Sequence, residues 1–151
     1  MNIREYRATD LDRVIQLFEE TVSRINVQDY SSEQLVAWIG HPDRTKWQSS
    51  LLAHITYVMV SNEVLVGFAD MTANGYLDRL YVGADYQGLG IATALVTALE
   101  EAIPVKRYAT EASITARPFF ESRGYQTIKQ NVVIRNGIEL TNFTMVKKAI
   151  K

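Results

Sequence analysis

The chain has 151 residues, 47% hydrophobic and 22% charged, with 16 basic against 17 acidic side chains and a net charge of -1. That length supports one domain with a sizeable core, and the even balance excludes a strongly basic nucleic-acid binder and an acidic tail. Zero cysteines exclude disulfides, thiolate metal sites and a cysteine nucleophile.

In chain order, Ile3 to Arg7 alternates like a short strand. Thr9 and Asp10 offer caps for a helix whose apolar face is Leu11, Val14, Ile15, Phe18, Val22 and Ile25. Ser31 with Gln34 three residues later reads as a capping box. It opens a shorter helix through Leu35, Trp38 and Ile39, stopped by Gly40 and Pro42. His41 to Ser50 is polar and reads as loop or a fragment of helix. Three strands follow, Ile55 to Val60, Val64 to Met71 and Tyr76 to Val82. The short turns between them predict antiparallel pairing. A helix carries Ile91, Leu95, Ala98, Leu99 and Ala102 on one face and ends at Pro104. Lys106 to Ala112 is a strand. Ala116 to Ser122 is a short helix with Pro118 in its first turn and Gly124 as its C-cap. Tyr125 to Arg135 and Ile138 to Val146 flank Asn136-Gly137, a hairpin signal.

No run is long enough to span a membrane; Ile55 to Val60 is typical. The polar start, Met1 to Glu5, does not resemble a signal peptide, so the expected compartment is the cytoplasm. The two histidines, His41 and His54, lie 13 residues apart without helical spacing, and no metal site is expected. His41 reads as a turn residue and His54 as a strand-edge residue, neither with a catalytic role. No G-x-S-x-G elbow is present, which argues against a serine hydrolase.

The informative stretch is Tyr76 to Thr97. A strand ends at Tyr81-Val82, and Gln87-Gly88-Leu89-Gly90-Ile91-Ala92 then leads into an amphipathic helix. Glycines allow a tight turn and close backbone approach. A helix start offers unpaired N–H groups at the positive end of its dipole, so the arrangement suits an anion such as phosphate. A Walker loop is excluded because no lysine stands at its end. A dinucleotide fingerprint is excluded because Thr93 stands where its third glycine belongs. Taken alone, the G-x-G pair reads better as a structural turn.

The same stretch resembles the GCN5-related N-acetyltransferase (GNAT) superfamily. That family's acetyl-CoA loop, Q/R-x-x-G-x-G/A, is filled by Gln87, Gly90 and Ala92. Tyr76 to Val82 resembles its splayed central strand. About 35 residues on, Ala116-Arg117-Pro118-Phe119-Phe120-Glu121-Ser122-Arg123-Gly124-Tyr125 resembles its A-x-x-F-Y-x-x-x-G-F segment. The implied fold is α+β: one GNAT-like domain over 1–151, a mixed, mostly antiparallel sheet of about seven strands, and about four helices.

The resemblance implies acetyl-CoA as co-substrate and direct attack of a primary amine, from a small molecule or peptide, on the thioester. It places Gln87, Gly88, Leu89, Gly90, Ile91, Ala92 and Thr93 around pyrophosphate. It places Leu80, Tyr81 and Val82 along the pantetheine arm, with Ser113 and Phe119 also on the cofactor. The N–H of Leu80 would face the thioester oxygen, and Asp78 would be the base. Asp78 reads equally as a salt-bridge partner of Arg79, and Ser113 equally as a helix cap. Ile25, Asp29, Tyr30 and Trp38 would line the acceptor pocket; Trp47 is a further aromatic candidate. The family's tyrosine acid is missing, because Phe120 stands there. Tyr81, Tyr108 and Tyr125 are the candidate substitutes, and a CoA-binding module without turnover is the alternative. No nucleic acid or membrane partner is implied. A second copy of the chain is a candidate partner through the hairpin edge.

Overall fold

The computed structural model describes residues 1–149. Seven strands form one sheet: β1 (Asn2–Glu5), β2 (Ile55–Ser61), β3 (Val64–Met71), β4 (Tyr76–Val82), β5 (Arg107–Ser113), β6 (Gln126–Arg135) and β7 (Ile138–Lys148). Five α-helices accompany them: α1 (Leu11–Arg24), α2 (Ser32–Ile39), α3 (Arg44–Ala53), α4 (Ile91–Ala102) and α5 (Arg117–Ser122). The strand order is β1-β2-β3-β4-β5-β7-β6. Every neighbouring pair is antiparallel except β4 with β5. The expected α+β fold is therefore present, and the three strands after residue 54 pair as their short turns predict.

Each face of the sheet carries a core. One packs Val66, Met71 and Met145 against Leu95, Leu99 and Phe120 of α4 and α5. The other packs Phe68 and Leu140 against Val14, Phe18 and Leu51 of α1 and α3. Burying a large apolar side chain in this way stabilises by roughly 1.5–3 kcal/mol each. The capping box forms as expected: Gln34 N–H donates to Ser31 Oγ at 3.1 Å, and Ser31 N–H donates to Gln34 Oε1 at 2.9 Å.

Two local expectations are corrected. Residues 44–53 form a full helix, α3, rather than loop or a fragment of helix, which raises the helix count from four to five among the described residues. Its signal is weak because Leu51 is its one fully buried residue. Its start is instead set by Asp43, whose carboxylate accepts from Lys46 N–H at 3.1 Å. Asp10 does not cap α1 with its side chain. Its carboxylate turns back to take Arg4 at 2.8 and 2.9 Å and the N–H of Arg7 at 2.8 Å. That charge-assisted pair, stronger than a neutral cap bond, ties β1 to the start of α1.

The topology also opens a cleft. β4 and β5 pair only at Tyr76 with Ala109 and Leu77 with Thr110. β5 then continues beside β7, β4 continues beside β3, and the two part.

Candidate active site

The cleft between the diverging strands encloses about 450 Å³. One wall is the connection from β4 to α4. Gly88 and Gly90 adopt φ of +74° and +81°, backbone that side chains strain to reach, and open space lies where a Cβ would project from each. Ala94 N–H closes onto the carbonyl of Gly90 at 3.0 Å as the first helical bond. The amides of Ile91, Ala92 and Thr93 therefore have no partner within the helix. The loop from Gly83 to Thr93 contains no lysine or arginine. What it offers an anion is main-chain donors and the helix dipole.

The floor is the free edge of β4. Gly83 N–H donates to Val66 carbonyl at 2.8 Å. Antiparallel alternation from that pair puts Tyr81 and Arg79 in the bonded positions toward β3. The N–H groups of Leu80 and Val82 consequently face the cleft. An extended amide-bearing ligand can pair with such an edge as an added strand.

Asp78 is placed by an irregularity in β4. Arg79 pairs with Asp70 and Leu77 with Met71, so Asp78 is an extra residue, a β-bulge. It lines both the large cleft and an adjoining cavity of about 170 Å³. Burial, then the charge of Asp70, raise its pKa, opposed by Arg79 and His54. The Arg79–Asp78 contact is long, 3.6 Å, because Arg79 spends its guanidinium on Asp70 at 2.6 Å and Ser50 at 2.7 Å. A carboxylate so placed, with a raised pKa, suits proton abstraction.

Most of the sequence candidates converge here. Leu80, Tyr81, Val82, Gln87, Gly88, Gly90, Ile91, Ala92, Thr93, Ser113 and Phe119 line the large cleft, as do Ile25 and Trp38. Tyr30 and Trp38 line the smaller cavity, their rings edge to face with centroids 5.1 Å apart. Four side chains differ from expectation. Asp29 lines neither cavity; its carboxylate is taken by the Thr115 hydroxyl at 2.8 Å on the surface. Leu89 is 57% exposed and turned out of the cleft. Gln87 reaches back, its amide donating to Val82 carbonyl at 2.7 Å, so its side chain braces the loop. Trp47 lines neither cavity and packs on Phe18 and over Arg79. Ser113 Oγ accepts from Ala116 N–H at 3.0 Å, which makes it a cap while it also lines the cleft.

The tyrosines separate cleanly. Tyr108 and Tyr125 direct their hydroxyls to Glu100, to its backbone carbonyl and its carboxylate respectively, at the far end of α4. Tyr81 lines both cavities, with its phenol pushed up to about 12 by burial. Phe120 is 2% exposed, packed between Phe119 and Tyr125.

Sequence reasoning missed Tyr76, Glu111 and Arg135 around the smaller cavity, and His54 and Asp70 beside the Asp78–Arg79 pair it did name. Alternating positions in neighbouring strands signal a shared face, but only known strand order shows which residues meet.

The comparisons with known proteins agree with this geometry. A family model described as an acetyltransferase (GNAT) domain matches residues 26–147. The chain is 34% identical over 145 residues to an uncharacterized N-acetyltransferase, YafP, of Escherichia coli K12, covering 96% of this chain and 94% of that one. The crystal structure of a GCN5-related N-acetyltransferase from Rhodopseudomonas palustris, also called a class-II aminotransferase, superposes with a TM-score of 0.94 at 33% identity, over 98% and 95% of the two chains. The PaiA N-acetyltransferase of Thermoplasma acidophilum, solved with coenzyme A, superposes at 0.81 with 19% identity, over 98% of each. The chain thus belongs to the GNAT family of acetyltransferases.

Proposed function

We propose that residues 1–151 form a single acetyltransferase domain that moves the acetyl group of acetyl-CoA to a primary amine of a small molecule or peptide by direct attack on the thioester. The observation that carries this reading is the position of Asp78, at the junction of the amide-lined cleft and the smaller cavity. Pyrophosphate sits on the loop amides from Gly88 to Thr93, and the pantetheine arm pairs with the edge of Leu80 and Val82. CoA bound in the PaiA neighbour supports this cofactor.

Asp78 takes a proton from the ammonium, and the neutral amine attacks the carbonyl carbon. The Leu80 N–H stabilises the oxygen that gains charge. Collapse breaks the C–S bond, and the second proton on the nitrogen passes through water to the departing sulfur, leaving an amide and the CoA thiol. The smaller cavity, with Asp78 and Glu111 among aromatic side chains, suits a cationic amine. Phe120 favours a second reading, a CoA-binding module without turnover, because it carries no hydroxyl for the thiolate.

Thermal unfolding with acetyl-CoA, against CoA, ATP and NAD, tests the cofactor. Saturation at ~100 times the dissociation constant stabilises by about 2.7 kcal/mol, and ATP and NAD give no shift. Thiol release with a panel of primary amines then separates the two readings. Binding without release from any amine selects the module, and no stabilisation by acetyl-CoA overturns both.

A further inference from the structure

Behind Asp78 lies a polar cluster that acetyl transfer as described leaves unused. Asp70 on β3 is fully buried. Its Oδ2 takes Arg79 at 2.6 Å and His54 Nδ1 at 2.8 Å. Its Oδ1 has no partner. His54 follows α3 and keeps 19% of its side chain open to solvent. One side-chain nitrogen or oxygen from each of His54, Asp70 and Asp78 lies within 4.8 Å of the others.

A salt bridge that only held the fold would be complete with Arg79 and Asp70. The imidazole adds a side chain of a type that ordinarily titrates near neutral pH, bonded to the buried acid and close to Asp78. With Nδ1–H donated to Asp70, Nε2 keeps its lone pair. The bulge at Asp78 is what turns that carboxylate toward the same cluster as Arg79. A divalent metal is a poorer reading, because a guanidinium already sits on the Asp70 oxygen that would ligate it.

We propose that His54, oriented by Asp70, relays to solvent the proton that Asp78 removes from the acceptor amine. The inference rests on the acetyltransferase reading. After attack, the Asp78 carboxylic acid passes its proton to His54 Nε2, directly or across one water. The Asp78 carboxylate is regenerated, and the imidazolium, held against Asp70, releases the proton to bulk water. The charged groups facing His54 are Asp70 on β3 and Asp78 and Arg79 on β4. Asp70 and Asp78 raise its pKa, chiefly through the Asp70 hydrogen bond, with burial and Arg79 opposing.

The test uses an amine that the wild-type chain acetylates. His54→Ala lowers kcat by about 10- to 100-fold near pH 7, leaves stabilisation by acetyl-CoA unchanged, and recovers when imidazole is added. His54→Gln is equally slow and gains nothing from imidazole. Wild-type kcat in His54→Ala overturns the relay, as does a loss that imidazole does not restore. NMR titration supplies a readout independent of turnover. The chain has two histidines, and His54→Gln assigns the signals. Asp78→Asn moves the His54 midpoint down, because a neighbouring negative charge is removed; an unmoved midpoint overturns the proposal. A wild-type chain that acetylates no amine instead counts against the transferase reading.

Discussion

From Gly83 to Thr93 the cleft wall is one continuous stretch of chain, and what it offers a ligand is its own backbone. On the opposite side, Asp78 is surrounded by Arg79 from its own strand, Asp70 from β3, His54 from the end of α3, and Trp38 from α2. The loop side needs no ionised side chain, because N–H groups and the helix dipole supply the positive potential. The acid side is built mainly from titratable side chains and depends on how four elements pack. The two sides therefore fail differently when changed, one by loss of binding and the other by loss of turnover.

The largest expected effect lies on the acid side. Asp78→Asn lowers kcat by about 10²- to 10⁴-fold and leaves stabilisation by acetyl-CoA intact. Steady-state kinetics beside thermal unfolding checks both halves. Lost acetyl-CoA stabilisation in this variant would break the division between the two sides.

Next comes the support beneath the loop helix. Glu100 near the end of α4 accepts from Tyr125 at 2.7 Å, Lys147 at 2.9 Å and Arg123 at 3.0 Å. Burial is the largest single influence on its pKa and raises it. The hydrogen bonds of Lys147 and Tyr125 and the charges of Arg123 and Lys147 together still hold it below the ordinary value. Removing one partner of such a network costs about 3 kcal/mol, which denaturant unfolding of Glu100→Gln measures at pH 7. A lowered carboxyl pKa contributes stability that is present above the unfolded value, ~4.3, and lost as pH falls through the folded one. The gap between wild type and variant therefore closes in acid. A gap independent of pH would show that the carboxylate charge contributes nothing.

On the loop side, Gly90→Asp puts a carboxylate into the open space where the anion would sit, on backbone that already disfavours a side chain. The acetyl-CoA stabilisation of about 2.7 kcal/mol disappears, and the His54 titration is untouched. Persistence of the thermal shift would make the loop a structural turn only. The smallest effect is at Ser113, whose hydroxyl accepts from Ala116 N–H. Ser113→Ala loses about 1 kcal/mol of stability with acetyl-CoA affinity changed by less than about threefold. A larger loss of affinity would assign Ser113 to the cofactor.

The same division separates what is legible in the sequence from what is not. Gly88, Gly90 and the start of α4 are contiguous, so strand, turn and helix signals within one window place the cleft wall. Ser31 with Gln34 and Asn136 with Gly137 are legible for the same reason, since each acts on its own few residues. α3 is not, because a helix that buries Leu51 and lays Trp47 across Arg79 has no apolar stripe. Asp29 looks like an acceptor acid until Thr115, distant in sequence, takes its carboxylate. His54 looks like a strand-edge residue until β2 and β3 align beside it and bring Asp70 to its ring.

By itself the sequence determined the elements whose signals are local: the strands by alternation, four helices by cap and stripe, and the glycine loop by its spacing. Propensity, capping and turn geometry act over a few residues and need no partner. Only the tertiary structure decided that β7 lies between β5 and β6, that β4 and β5 part after two residue pairs, and that a bulge turns Asp78 toward His54 and Asp70. Those outcomes follow from burying both faces of one sheet at once, and no single window of sequence contains that constraint.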